Sequence, residues 1–343
     1  MKHEYDAILL VSFGGPEGPD DVVPFLENVT RGRGIPRERL AQVGEHYHLF
    51  GGVSPINDLC RELIAALESL IAEEGPKLPV YWGNRNWHPM IEDTVAKMAE
   101  DGVQRAVAVA TSAYSSYSAC RQYLDDIERA RAAVGENAPI IEKIPPFWNH
   151  PGFIDTMAAN TRAALDGLSS SAPEGARLVF TAHSIPSAMA ATCDYEVELR
   201  EASALVVERV APQMSWDLVY QSRSGPPTVP WLEPDVCDHL KELASSGIER
   251  VVVVPIGFVA DHMEVKYDLD TEASDVAKEL GMEMKRAACV GSAPNFVRGL
   301  RDAIVAHMEG RTPEVLGSRS ARPDPCAPGC CAYTPRRPGR PSA

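Results

Sequence analysis

The sequence predicts an α/β fold built on parallel sheets, and three observations carry that expectation. Short, β-branched apolar runs alternate with longer stretches of helical periodicity. The runs lack an inside–outside alternation, as expected of parallel strands covered on both faces. The 343 residues, 45% of them hydrophobic, can bury a sizeable core and fit two domains better than one.

Taken in order, strands are expected at 7–12, 80–82, 103–110, 139–144, 178–181, 216–221 and 251–258. Helical periodicity falls between them at 56–74, 91–101, 116–134, 196–210, 235–245 and 264–280. Gly75-Pro76, Pro145-Pro146 and Gly225-Pro226-Pro227 punctuate the pattern. Strand–helix alternation occurs on both sides of Ile144-Pro145-Pro146-Phe147. The expected division is therefore a first domain over 1–149, a second over 150–311 and a tail over 312–343. The last helix, about 294–308, is one that could pack back on the first domain. The tail is rich in Pro, Arg, Ser and Gly and reads as poorly structured.

The formal charge of −15 argues against a nucleic-acid or anionic-membrane surface, each of which needs a basic footprint. No apolar segment approaches the roughly 18 residues that span a bilayer, and the N-terminus lacks signal-peptide organisation, so a cytoplasmic location is expected. Five cysteines (Cys60, Cys120, Cys193, Cys237, Cys289) are scattered as reduced core thiols would be, and three crowd into the tail.

Open parallel sheets bind ligands at the carboxyl ends of their strands. Two such ends stand out. His183 follows the run Leu178-Val179-Phe180-Thr181, and Glu264 opens the helix after the run 251–258. If those strands are neighbours, both side chains face one crevice. Asp268 and Glu272 follow Glu264 at four-residue steps, stacking on one helix face at roughly 6 Å per step. A row of acids is ordinarily a solvated face, and like charges so spaced cost a helix a few tenths of a kcal/mol. A lone histidine is ordinarily a hydrogen-bonded structural residue. Together they also suit another job: hard carboxylates pass a hydrated divalent ion, and a neutral imidazole binds metal or accepts a proton.

At these residues the chain resembles the ferrochelatase family. Gly257-Phe258-Val259-Ala260-Asp261-His262-Met263-Glu264-Val265-Lys266-Tyr267-Asp268 is similar to its iron-site segment, and Thr181-Ala182-His183-Ser184-Ile185-Pro186 to its histidine motif. The likeness continues through Phe13-Gly14-Gly15-Pro16, Arg31-Gly32-Arg33, Gly51-Gly52-Val53-Ser54-Pro55, His88-Pro89 and Pro230-Trp231-Leu232, in order over about 5–308. The resemblance implies two Rossmann-like, chelatase-type domains with a porphyrin in the cleft between them. It makes His183 proton acceptor and iron ligand, Glu264 the second ligand, and Asp268 and Glu272 an outer relay on a helix widened to π geometry. On the propionate side it carries over Arg31, Tyr47, Ser54 and Tyr123, with Arg33 and His46 as neighbours and His88 in a loop near the metal. Phe13 stands where some relatives have an iron-ligating tyrosine, so it is expected to pack against the ring instead.

Protoporphyrin members of the family carry an apolar lip where the stretch 58–70 reads as an ordinary amphipathic helix without an apolar insertion, so the resemblance implies coproporphyrin III over protoporphyrin IX as the partner of Fe²⁺. A downstream haem-pathway enzyme is a possible further partner. Cys326, Cys330 and Cys331 resemble a C-terminal [2Fe–2S] ligand set, but the C-x3-C-C spacing is unusual and no cysteine stands at 155–157 for the fourth position. Cys120 or Cys193 could fill it; free thiols and a zinc site are the other readings. Gly14-Gly15-Pro16-Glu17-Gly18 is not the dinucleotide fingerprint G-x-G-x-x-G, which argues against a nicotinamide or flavin enzyme. A non-enzymatic porphyrin carrier would need the pocket but not the acidic row, whereas a cobalt or nickel chelatase would need both.

Overall fold

A computed structural model describes residues 4–32, 34–169 and 175–334. Arg33 and the end of the tail lie outside the described residues.

Two four-stranded parallel sheets organise the molecule. The first holds β1 (Ala7–Ser12), β2 (Val80–Asn84), β3 (Arg105–Ala110) and β4 (Ile140–Lys143) in the order β2-β1-β3-β4. The second holds β5 (Ala176–His183), β6 (Trp216–Gln221), β7 (Arg250–Val254) and β8 (Glu283–Arg286) in the order β6-β5-β7-β8. The orders are equivalent, so both halves are doubly wound modules. Their topological switch points lie between β1 and β3 and between β5 and β7.

Helices fill the intervals. In the first half these are α1 (Val22–Val29), α2 (Arg37–His48), α3 (Ile56–Glu74), α4 (Ile91–Glu100) and α5 (Gln122–Val134). The second half adds α6 (Pro151–Asp166), α7 (Ser187–Ala190), α8 (Tyr195–Val210), α9 (Val236–Ser245), α10 (Met263–Val265), α11 (Ser274–Glu279) and α12 (Pro294–Glu309). π-helical segments precede α5 at Tyr117–Arg121 and join α10 to α11 at Lys266–Ala273.

Alternate strand residues face different cores. Ile8, Leu10 and Val107 of the first sheet join Leu178, Phe180 and Val252 of the second in one apolar cluster. Ala7, Leu9 and Val11 pack on the opposite face with Ile91 and Ile127, while Val179, Val251 and Val253 pack with Leu240 and Leu269. The helix α12 ties the halves together: Arg298 pairs with Glu74 at 2.6 Å, and Arg301 Nε donates to the Gly75 carbonyl at 2.7 Å.

Three local expectations are corrected. The run 251–258 leaves the sheet at Val254, where Pro255 can no longer donate to the ladder. The helical stretch over 264–280 is α10, a π segment and α11 in succession, with the π geometry that the family likeness implies. The helical stretch 116–134 likewise opens with a π turn. The tail carries no helix or strand through 334, yet it is anchored: Arg322 donates to Glu198 at 2.7 Å, to Asp194 at 2.6 Å and to Ser115 Oγ at 2.7 Å.

Candidate functional site

The switch point of the second sheet brings His183 and Glu264 together. His183 is the last residue of β5. After β7 the chain crosses back over the end of β5, where Gly257 N–H donates to the Thr181 carbonyl at 3.0 Å. A Cβ on Gly257 would sit 2.6 Å from Cβ of Ala182, so only glycine lets the strand end and the loop approach this closely. The loop then delivers α10, and Glu264 Oε1 stands 3.8 Å from His183 Nε2. Both side chains keep access to solvent, at 32% and 44% exposure.

The imidazole is held from behind. Its Nδ1 meets the Ser184 carbonyl, and the Tyr195 hydroxyl donates to the His183 carbonyl at 3.1 Å. A carbonyl only accepts, so Nδ1 carries the hydrogen and Nε2 is the ring nitrogen turned to Glu264. A gap of 3.8 Å is too wide for a hydrogen bond. It suits two ligands of one ion at bonds of about 2.1 Å. His262, within the same motif as Glu264, belongs here too. Its ring packs on Phe258 at 5.3 Å, burial pushes its pKa down, and the charges of Glu264 and His183 both act on it. Its place two residues before Glu264 was the available signal.

The acidic row runs down the π segment. Thr271 Oγ1 reaches back to the Lys266 carbonyl, five residues earlier, at 3.5 Å. Asp268 is gripped on one oxygen: the Ser222 hydroxyl and, at 3.3 Å, the Gln221 amide both donate to Oδ2. The same amide donates to the Glu264 carbonyl at 3.3 Å. Burial pushes Asp268 up to about 7, with Ser222 opposing and the charges of Glu264 and Glu272 adding to the rise. Asp268 thus senses the acids one step either side of it. Ser222 holds φ at +61°, a left-handed conformation that costs a side-chain-bearing residue of the order of 1 kcal/mol. Such strain clusters at functional sites. Gln221 Oε1 beside the row and Thr181 Oγ1 in β5 are buried with no partner among the described residues.

The first half closes over this row. His46 of α2 stacks on Tyr267 of the π segment with ring centroids 4.1 Å apart and planes 11° off parallel. Its neighbour Tyr47 is pushed up by burial and then by the charge of Glu264, placing α2 beside the catalytic candidates. Phe25 is the hub behind it, in ring contact with Phe13 at 6.3 Å, Tyr47 at 5.9 Å and Trp87 at 6.1 Å. Trp87 in turn contacts His88. Ser54 is buried, its N–H donating to the Pro16 carbonyl at 2.8 Å. Arg31 is exposed in the turn after α1. Tyr123 is not brought to this surface: it lies in the core behind the first sheet, with the Arg85 guanidinium 4.0 Å over its ring.

The tail thiols gather elsewhere. Gly329 and Cys331 take left-handed backbone, at φ +77° and +56°, and this turn brings the sulfurs of Cys330 and Cys331 to 3.5 Å. Burial, then the neighbouring Cys330 and Cys120, push Cys326 up to about 11. Burial, Cys330, Cys120 and Cys193 push Cys331 up as well. Among the described residues, no three His, Cys, Asp or Glu side chains converge on a single ion position.

A family model described as ferrochelatase matches residues 5–308. The ferrochelatase of Rhodopirellula baltica is 52% identical over 344 residues, covering 98% of this chain and 97% of that one. The coproporphyrin III ferrochelatase of Nocardia farcinica is 52% identical over 351 residues and covers 98% of each chain. The solved structure of SirB from Bacillus subtilis with Fe³⁺ superposes with a TM-score of 0.55 at 15% identity, covering 90% of this chain and 98% of that one, a likeness of fold.

Proposed function

The chain belongs to the ferrochelatase family, and we propose that it inserts Fe²⁺ into coproporphyrin III to form coproheme. The observation that carries this reading is the open pair of His183 and Glu264 at the switch point, with an acidic row leading away from it. Insertion needs a site that holds iron and then releases it. Two protein ligands with the remaining positions left to water suit that task better than a closed four-ligand cage.

Asp268 and Glu272 are the entry side of the path. The Ser222 and Gln221 donors fix Asp268 Oδ2, so the carboxylate meets the ion in one orientation. At the pair, Glu264 and Nε2 of His183 receive the metal beside the macrocycle. Four pyrrole nitrogens then replace the protein and water ligands, and two N–H protons leave. Nε2 has the lone pair for one, and the Glu264 carboxylate lies within 3.8 Å to share the load. Phe13 would pack on the macrocycle, with Arg31, Tyr47, Ser54 and Tyr123 on the propionate side; Tyr123 would first have to leave the cover of Arg85. The reaction is placed in the cytoplasm, with coproheme passing to a later haem-pathway enzyme. Among the described residues no helix is long and apolar enough to cross a membrane.

The tail also fits the [2Fe–2S] group that the family implies. The observation is chemical: soft sulfur donors crowd one short tail stretch, and a turn with Cys331 at φ +56° brings two of them to 3.5 Å. Cys326, Cys330 and Cys331 would supply three of the four thiolates that such a cluster takes. When bound, the group would cross-link the tail and offer a one-electron redox centre; insertion needs neither.

The deciding experiment follows visible absorption as Fe²⁺ is added anaerobically to the protein with coproporphyrin III and, in parallel, with protoporphyrin IX. Turnover on coproporphyrin III in clear preference is expected. Preference for protoporphyrin IX would reassign the substrate, and porphyrin binding without turnover of either would make the protein a carrier.

A further inference from the structure

Resting on the function proposed above, the structure assigns Arg286 as a positioning residue for iron: it holds the segment bearing Glu264 and Asp268 to the β8 edge of the second sheet.

That segment has little regular structure of its own. It runs from the loop after β7 through the three residues of α10 into the π segment, and neither helical start carries a side-chain cap. π turns are uncommon and collect at functional sites. A carboxylate on such a stretch points where its outside contacts direct it.

Those contacts come from both edge strands. In the order β6-β5-β7-β8, β6 and β8 flank the two strands whose ends deliver His183 and Glu264. From the β6 edge, Ser222 and Gln221 hold Asp268. From the β8 edge, Arg286 takes Asp270 with a fork: Nε meets Oδ1 at 2.5 Å and Nη2 meets Oδ2 at 3.0 Å. The remaining nitrogen, Nη1, donates to Asp261 Oδ1 at 2.8 Å and to the Ala287 carbonyl at 3.0 Å. Asp261 precedes Glu264 by three residues, and Asp270 follows Asp268 by two. One side chain therefore grips both ends of the stretch that carries the two acids. The loop end is stitched further, since Asp261 Oδ1 accepts from Cys289 N–H at 3.2 Å and Gly291 N–H donates to the Val259 carbonyl at 2.8 Å.

The arrangement needs an arginine. Its planar fork matches one carboxylate bidentately and keeps a nitrogen for the second at a fixed angle, whereas a lysine ammonium is a point charge on a flexible stem. The fork also occupies both Asp270 oxygens, which withholds that carboxylate from the ion. Arg286 is only 17% exposed. The Lys278–Asp275 pair on neighbouring α11, at 71% and 61%, is the ordinary solvated kind that orients nothing.

The test compares wild type, Arg286→Lys, Arg286→Gln and the double variant Arg286→Gln/Asp270→Asn as full chains. Iron insertion into coproporphyrin III is followed without oxygen over a range of Fe²⁺, and Co²⁺ binding to the porphyrin-free proteins by calorimetry. All three variants are expected to raise the KM for Fe²⁺ and the Kd for Co²⁺ roughly tenfold, the scale of one hydrogen bond to a charged group. The KM for coproporphyrin III should stay unchanged. Urea unfolding separates positioning from plain support. Arg286→Gln leaves two acids without their cation and should lose stability; the double variant removes one of those charges and should recover it, while the iron KM stays raised. An iron KM that recovers along with stability, that rises only together with the porphyrin KM, or that Arg286→Lys leaves unchanged overturns the positioning role. Wild type that binds Co²⁺ but inserts iron into no porphyrin overturns the proposed function instead, and the Co²⁺ affinities of the variants then decide the role of Arg286 by themselves.

Discussion

Nε2 of His183 faces Oε1 of Glu264 at 3.8 Å because a single glycine, Gly257, lets the loop after β7 fold across the end of β5. The imidazole is braced by the Ser184 carbonyl, the His183 backbone by the Tyr195 hydroxyl, and the carboxylate comes from a three-residue helix. Removing either group should therefore leave the fold and the porphyrin contacts in place. His183→Ala and Glu264→Gln are each expected to slow iron insertion about 10²- to 10⁴-fold, the usual loss for a positioned acid–base group. Porphyrin binding followed by fluorescence quenching should change little. Wild-type insertion rates in both variants would remove these residues from the chemistry.

Ser222 separates strain from function. Its hydroxyl grips Asp268 while its backbone sits at φ +61°. Ser222→Gly removes the hydroxyl and the strain together; Ser222→Ala removes the hydroxyl alone. Both should raise the KM for Fe²⁺ by roughly tenfold, the scale of one hydrogen bond to a charged group, with the KM for porphyrin unchanged. The glycine variant should also unfold at higher urea than the alanine variant, by about 1 kcal/mol. An unchanged iron KM in both would mean that the grip on Asp268 is structural.

What the residues made legible and what they did not follow from range. His183 and Glu264 could be placed because each ends a buried parallel strand or starts the helix after one, and such ends define binding crevices in parallel sheets. The row of Asp268 and Glu272 came from spacing. The π geometry beneath it came from family likeness, since no local residue pattern distinguishes a π from an α turn. β8 was not anticipated: Glu283-Met284-Lys285-Arg286 is a charged edge strand, and charge on an edge is how sheets avoid unwanted pairing. The stack of His46 on Tyr267 depends on how two distant segments meet, which no local pattern encodes. Tyr123 shows the converse, a family position that the packing of Arg85 keeps covered.

Arg322 makes the tail part of the fold. Its guanidinium reaches Glu198, a carboxylate only 1% exposed that also accepts from Ser115 N–H at 2.8 Å. Burial holds the Glu198 pKa above the usual carboxylate range despite this partner. Arg322→Gln strands a buried charge and should cost about 3–5 kcal/mol in urea unfolding. Adding Glu198→Gln should recover much of that loss, because the charge that needed a partner is then gone. Equal stability of Arg322→Gln and wild type would show that the tail is not anchored through this pair.

Stability should fall as the solution is acidified from neutrality, and His150 is one named cause. Its Nδ1 accepts the Gly152 N–H at 3.1 Å as the cap of α6, which requires that nitrogen to be unprotonated. Burial lowers its pKa, and the opposing charges of Asp302, Glu314 and Asp155 do not restore it. The unfolded chain binds a proton near the ordinary histidine value of about 6.5, whereas the folded chain resists until lower pH. Between those values the unfolded state holds the extra proton, so His150 contributes fully above about 6.5 and progressively less below it, by at most about 1.4 kcal/mol per pH unit. His150→Asn keeps a capping oxygen and removes the titration. Unfolding free energies measured from about pH 7 down to 5 should therefore fall less steeply in the variant, and parallel curves would place the acid sensitivity in other groups.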